Sequence, residues 1–356
     1  METSIHIVLG AVTAQMGFRN RIGREAAWAA AGIALLPDLD MLATPVLSAF
    51  DKTRTWFDNI GIHRSYTHSI FLIPIYGLLI AGAWWWLRRR KPERRKPFRL
   101  LYLCTLAALF NQPLLDVITA YGTQILLPFT HLRVAIPVLP IYDIIFEGAL
   151  VLTLVACFVT RKATRGLSAA PMKIAWAGFL FCCAYIAAGF CINQVVLHQA
   201  KAQIGDCGGG AEFHAYPQMG TIFVWRVTRR CPDNWYATRA NLLYGVDFRS
   251  EEHNEAAVVD NEWVEKARHL PQIQRFGWFA LGQLRAAYSE EDGKRIVDFY
   301  DMRYAVRADE LESFWHARVT FDAAGKVLNV EHVQRGFHRG DIFQTGREML
   351  RDIWRP

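Results

Sequence analysis

The sequence predicts an all-α polytopic membrane domain, a helical bundle, followed by a soluble α+β domain rich in antiparallel strands. Three observations carry that prediction. Hydrophobic residues make up 52% of the 356-residue chain, and before residue 200 they gather into runs nearly free of charge. The stretch "GDCGGG" at 205–210 interrupts them with glycine. Beyond it the chain alternates and carries charge throughout. The expected organisation is a helical membrane domain over 1–200, a Gly-rich linker over 201–210 and a soluble α+β domain over 211–356.

Taken in order, Ile5–Phe18 and Ala26–Leu36 are apolar but too brief to span alone, because a spanning helix needs roughly 17–25 residues. They read as short helices packed inside the bundle, or as helices that stop where a site begins. Ile70–Leu87, Leu100–Phe110 continuing towards Val117, Ile144–Val159 and Ile174–Leu197 approach spanning length. The run "IAWAGFLFCCAYIAAGFCI" leaves no polar face for water, which disfavours a large soluble helical protein. Glu2 precedes the first apolar run, whereas Arg19, Arg21 and Arg24 follow it, the reverse of a signal peptide.

Charge then orients the spans. The basic stretches "RRRKPERRKPFR" (88–99) and "RKATRG" (161–166), with Lys173, belong in the cytoplasm by the positive-inside rule. Much of the formal net charge of +7 sits in these loops, so no nucleic-acid partner is expected. Under this topology His6, "PDLD" (37–40), "HRSYTH" (63–68), Asp116 in "NQPLLDVITAYG" and Asp143 in "PIYDIIFEG" all fall on the outer face. Scattered residues would divide between both faces.

Carboxylates and histidines at a membrane boundary are costly to keep and need a partner. A divalent cation answers for His6, Asp38, Asp40, His63, His68 and Asp116 together, with Asp143 as the least certain extra ligand. Imidazole and carboxylate suit zinc, with manganese or iron as alternatives, and the set has no cysteine. The donors exceed one tetrahedral shell, so one or two ions are expected. Pro37 disfavours regular helix, and an extended turn would let Asp38 and Asp40 face one site or bracket it. His63 is expected on the entering loop and His68 in the first turn of the next helix, with Thr67 as a cap. Arg64, Thr67, Ser69 and Tyr121 are assigned to substrate, Arg64 because its fork suits phosphate or carboxylate.

Together, His6, "LLPDLD", "HRSYTHS" and "LLDVITAYGTQILLPF" resemble a bacterial family of inner-membrane-associated, metal-dependent hydrolases, also labelled LexA-binding. The resemblance covers roughly the first 150 residues. "GTIFVWRVT", "YATRANLLYG" and "VDFYDMRYA" resemble, more weakly, the extra C-terminal domain of the longer members. The Thr-His usual in the family is Ile5-His6 here, and Asp143 matches its Asp-Pro only loosely. The resemblance implies a multi-pass protein of the bacterial inner membrane and a metal-dependent hydrolase.

In the tail, "TIFVWRVTRR", "WYATRANLLYG", "RIVDFYDMRYAV", "FWHARVTFD" and "VLNVEHV" read as strands, "DAAGKV" (322–327) as a hairpin turn and Glu255–His269 as a helix. Asp301 and Arg303 read as a strand-face pair. His214, His253, His269, His316, His332 and His338 show no ligand spacing. By topology this domain lies outside, in the periplasm, where Cys207 and Cys231 are either disulfide-bonded or two free thiols.

The expected function is hydrolysis at the outer membrane face, of a phosphoester in a lipid or lipid-linked substrate. Metal-activated water attacks, with Asp40 or Asp38 as general base. A ceramidase-like lipid amide hydrolase is the rival enzyme. A non-catalytic metal-binding envelope sensor or scaffold is the alternative of a different class. No Gly-x-Ser-x-Gly or His-Glu-x-x-His pattern occurs, which weakens serine hydrolase and ordinary metalloprotease readings.

Overall fold

A computed structural model describes residues 3–89, 95–205, 207–208, 210–246, 248, 254–334 and 342–355. The chain divides into two compact units. One comprises Met1–Ala49, Ile62–Ile136 and Ile141–Ala188, and the other Phe50–Gly61, Pro137–Pro140 and Gly189–Pro356. Arg90–Arg94 of the long basic stretch, Asp206 and Gly209 of the glycine break, His253 and His338 lie outside the described residues.

The first unit is helical. Helix α1 (Thr3–Thr13) packs on α3 (Glu25–Leu35) through small residues: a Cβ added at Gly10 would sit 2.6 Å from the Ala30 carbonyl oxygen. Between them a π-helical turn, Ala14–Phe18, breaks at Gly17 (φ 140°) and leads into the one-turn helix α2 (Arg19–Ile22). Helices α6 (Ile73–Arg89) and α7 (Phe98–Val117) pack beside α3, sharing a core of Ala26, Ala30, Ala34, Ile73, Ala108 and Leu109. Helix α8 (Ile144–Ala163) and the long α9 (Ala170–Ile204) complete the run.

Among the described residues, four helical stretches are long and apolar enough to cross a membrane: Glu25–Phe50, Phe98–Val117, Ile144–Ala163 and Ala170–Ile204. Two expectations shift here. Ala26–Leu36 does not end at Pro37, because a 3₁₀ segment (Leu36–Leu42) carries it into α4 (Ala43–Phe50). Proline near the start of that segment removes only an N–H that a helix start leaves unpaired. Conversely, the Ile70 tract yields an α6 beginning at Ile73, because Ser69 accepts the Leu72 and Ile73 amides in a turn.

The second unit holds two antiparallel four-stranded meanders. One runs β1 (Glu212–Pro217), β2 (Val224–Arg230), β3 (Asn234–Asn241), β4 (Asn254–Ala257); the other runs β5 (Leu284–Glu291), β6 (Lys294–Asp301), β7 (Trp315–Phe321), β8 (Val327–Gln334). The turn at 322–327 is present, with the Asp322 carboxylate accepting from the amides of Ala324 and Lys326. The helix expected over Glu255–His269 is shorter. Asn254–Ala257 pairs with β3 instead, and α10 starts at Glu262 behind an Asn261 cap. Helices α11 (Pro271–Phe279) and α12 (Ile342–Trp354) follow in order. Asp301, the last residue of β6, and Arg303, two residues beyond it, form a buried fork at 2.6 and 2.9 Å in place of a pair along one strand face.

Residues 50–61 belong to this second unit. Within them α5 (Trp56–Asn59) stacks the Trp56 ring on His332 at 3.7 Å and sets its edge to Phe276 and Phe279, while Asp58 pairs with Arg275. Cys207 and Cys231 are joined by a disulfide; Cys104, Cys157, Cys182, Cys183 and Cys191 are free.

A buried carboxylate and histidine cluster

Three segments of the first unit meet at the cluster. The 3₁₀ segment Leu36–Leu42 turns about 120° per residue, and Asp38 and Asp40 bracket the His68 ring: Asp38 Oδ1 lies 3.4 Å from its Nε2 and Asp40 Oδ2 3.6 Å from its Nδ1. Asp38 is buried, and Asp40 lies nearer the rim. This replaces the extended turn expected from Pro37. Across from Asp38, Gln112 Nε2 donates to the Ala34 carbonyl at 2.6 Å, tying α7 to the end of α3 and placing Asp116 at its last turn. His68 arrives from a single 3₁₀ turn, Tyr66–His68.

Asp38, His68 and Asp116 each offer a ligand atom within 4.8 Å of the others, and all three are buried. His68 Nε2 lies 3.4 Å from Asp38 Oδ1 and 3.3 Å from Asp116 Oδ2. His6, fully buried on α1, brings Nε2 to 3.3 Å from Asp116 Oδ1. Neither ring nitrogen of His6, nor Nε2 of His68, is in hydrogen-bond geometry with any described residue. Buried polar atoms are seldom left so.

Asp40 and His63 form a second layer. Asp40 Oδ1 faces His63 Nδ1 at 2.8 Å, and Oδ2 accepts from Thr67 Oγ1 at 2.6 Å and from the Arg64 amide at 3.1 Å. Thr67 therefore caps no helix, since its hydroxyl is engaged by Asp40 and by His68 Nδ1 at 2.9 Å. Helix α6 begins only at Ile73, so its N-terminus is not where these histidines lie. His63 is the open member, with 22% of its side chain exposed.

Arg64 locks the layers together. Its Nη2 lies 3.0 Å from Asp116 Oδ1, its Nη1 donates to Thr119 Oγ1 at 3.2 Å, and its guanidinium sits 4.6 Å from the centre of the Tyr121 ring. Its backbone is left-handed (φ 59°), a conformation that costs a non-glycine residue of order 1–3 kcal/mol and clusters at functional sites. The Gln124 amide bonding to the Arg64 carbonyl at 3.0 Å holds it there.

The other assigned residues fall differently. Ser69 is fully buried and its hydroxyl donates to the Leu127 carbonyl. Tyr121 lies between Arg64 and Arg133. Asp143 is not brought to the cluster: it caps α8 through the Phe146 amide at 2.8 Å and accepts from Tyr185 Oη at 3.0 Å. Thr119 escaped sequence reading; its signal was its place one turn beyond Asp116, where its hydroxyl also reaches the Asp116 carbonyl at 2.8 Å.

These residues fit a divalent cation. Among the described residues three carboxylates face one guanidinium, which with neutral imidazoles sums to a formal charge of −2. A dry pocket holds such a charge only when it is paired or coordinated. The imidazole and carboxylate donors are those of zinc, manganese or iron.

No curated protein and no solved structure matches the chain. The family described as YdjM inner membrane protein matches residues 1–196, more than half of the chain and all of the segments that build the cluster. With its apolar helices and that match, the protein is a membrane protein belonging to the YdjM inner membrane protein family.

Proposed function

We propose that the protein is a metal-dependent hydrolase acting at the outer face of the inner membrane on a phosphoester of a lipid or lipid-linked substrate. The observation that carries this reading is the convergence of Asp38, His68 and Asp116 from three separate segments, within 4.8 Å and out of water. These three residues with His6 would hold a divalent cation, zinc by donor type, which would supply Lewis acidity and lower the pKa of a bound water towards neutrality.

The chain's own residues do the rest. His63 is the proton acceptor: Asp40 fixes its ring through Nδ1 and leaves the more open edge of the imidazole to the substrate side. In this reading Asp40 orients His63 through Nδ1, and the role of a carboxylate base expected for Asp40 or Asp38 passes to the imidazole. Arg64, already ordered by Asp116, Thr119 and Tyr121, meets negative charge developing on a phosphoryl group. The disulfide between Cys207 and Cys231 supports an oxidising compartment for the second unit, and so the outward orientation.

The test is elemental analysis of purified full-length protein, paired with phosphate or headgroup release from phospholipid micelles before and after chelation. Wild type should retain one or two zinc equivalents and lose activity on chelation. His68→Ala and Asp116→Asn should retain none. Equal metal in all three proteins removes the site. Metal binding without hydrolysis of any phospholipid favours the sensor or scaffold alternative.

A further inference from the structure

A second concave site lies at the other end of the first unit. From His6, α1 and the turn after it lead through thirteen residues to Arg19, about 20 Å at helical rise. There α2 and the end of α8 enclose a cavity of about 810 Å³ lined by Arg19, Arg24, Arg161, Lys162 and Arg165, with no acidic residue in its wall. That volume is within the range of small-ligand sites.

The chain breaks twice with positive φ on either side of α2, at Gly17 (140°) and Gly23 (119°), and the cavity wall takes its arginines from α2, Arg24 and the end of α8. Arg161 Nη2 reaches Asn20 Oδ1 at 3.1 Å, bringing the two walls together. None of the five cations makes an ion pair among the described residues. The nearest acid in sequence, Glu25, is engaged by Arg88. The Nε atoms of Arg19 and Arg161 are buried without a hydrogen-bond partner among the described residues. Burial first, and then Arg161 and Arg24 nearby, push the Arg19 pKa down.

Retention in the cytoplasm needs positive charge near a helix end, but not charge folded around a cavity with two buried guanidinium Nε donors unpaired among the described residues. The approach to the cavity is apolar. Along α8, Val151, Val155 and Phe158 are exposed at helical spacing and lead to Lys162 on the same face. We propose that this cavity binds the phosphate headgroup of an anionic membrane lipid, its acyl chain lying along the Val151–Phe158 stripe. The ligand chemistry is a phosphate monoanion or diester; the stripe favours a lipid over free phosphate as its source. Basic pockets between membrane helices take such headgroups, with about 1 kcal/mol per Lys or Arg near the surface.

The test is native mass spectrometry of the full chain in detergent, titrated with dioleoylphosphatidylglycerol, dioleoylphosphatidylcholine and inorganic phosphate. Wild type should hold one phosphatidylglycerol in preference to phosphatidylcholine. Arg19→Gln/Arg161→Gln should weaken it about 30-fold, whereas Arg95→Gln/Arg99→Gln, outside the cavity, should leave it unchanged. Equal phosphatidylglycerol affinity in wild type and the Arg19/Arg161 variant, or no preference over phosphatidylcholine, overturns the proposal. Displacement by millimolar inorganic phosphate overturns the lipid assignment and leaves a soluble phosphate site. Should the double variant fail to fold, the exposed Arg165→Gln is read instead: about fivefold weaker binding is expected, and an unchanged affinity has the same overturning force.

Discussion

Arg64 shows how much of the cluster rests on single residues. Among the described residues its guanidinium supplies the one permanent cation beside three carboxylates, and its left-handed backbone aims its own amide at Asp40. Removing it leaves Asp116 as an uncompensated buried charge, a change that costs of order 3–5 kcal/mol. Arg64→Ala should therefore fold poorly, whereas Arg64→Lys keeps the charge but cannot reach Asp116 and Thr119 together. For Arg64→Lys the expectation is normal metal content with at least a tenfold loss of any phosphoester activity, measured by elemental analysis beside turnover. Thr119→Val should show the milder version, about 1–3 kcal/mol less stable by thermal melting, since it removes the hydroxyl's two buried hydrogen bonds, with Arg64 and with the Asp116 carbonyl. The motif residues themselves were legible in the sequence because costly groups stood against apolar runs. Their division into layers was not, since it turns on the phase of two short 3₁₀ segments.

At the scale of the elements, the contact between α1 and α3 sets where His6 stands. Gly10 has no room for a side chain: an added Cβ would lie 2.6 Å from the Ala30 oxygen and 2.7 Å from the Ala34 Cβ. Gly10→Ala must push the helices apart, which costs about 1–3 kcal/mol as overpacking does, and should withdraw His6 from Asp116. The expected result is a lower melting temperature together with reduced metal retention; unchanged metal would detach His6 from the donor set. Periodicity could not reveal this contact, because both helices are apolar nearly all round. Asp143 illustrates the same limit. Its sequence context placed it level with the other acids, yet a helix start offered it a free amide and Tyr185 a hydroxyl, and those local bonds claimed it.

For the molecule as a whole, the second unit includes residues 50–61, a stretch lying in sequence between Asp40 and His63. Phe57 is 1% exposed there, packed against Trp56 and Phe276. Phe57→Ala should destabilise this unit by about 3–5 kcal/mol, read as faster limited proteolysis between β1 and α12. A pH dependence belongs to the same cluster. His332, stacked on Trp56, has its pKa lowered from 6.5 to about 4 by burial and by neighbouring His316, which itself lies 3.8 Å from Asp298. The folded state thus binds fewer protons than the unfolded one between those values. Its contribution is complete above about pH 6.5 and is lost as pH falls towards 4. Melting temperature should drop across that window, and His332→Gln should flatten the drop.

Composition and order alone determined that the chain enters a membrane as helices, that strands follow, and which residue types are too costly to stand at the boundary without a partner. Those are sums over many residues, governed by transfer free energy, and neighbours in sequence suffice to compute them. Only the tertiary structure decided which donors meet. It brought Asp38, His68 and Asp116 together with His6 behind, set Asp40 and His63 outside them, gave Asp143 to a helix cap, and folded the arginines of α2 and α8 around one cavity. The reason is geometric: a donor's direction depends on the phase of its turn and on the distance between helices, and residues far apart in sequence set both.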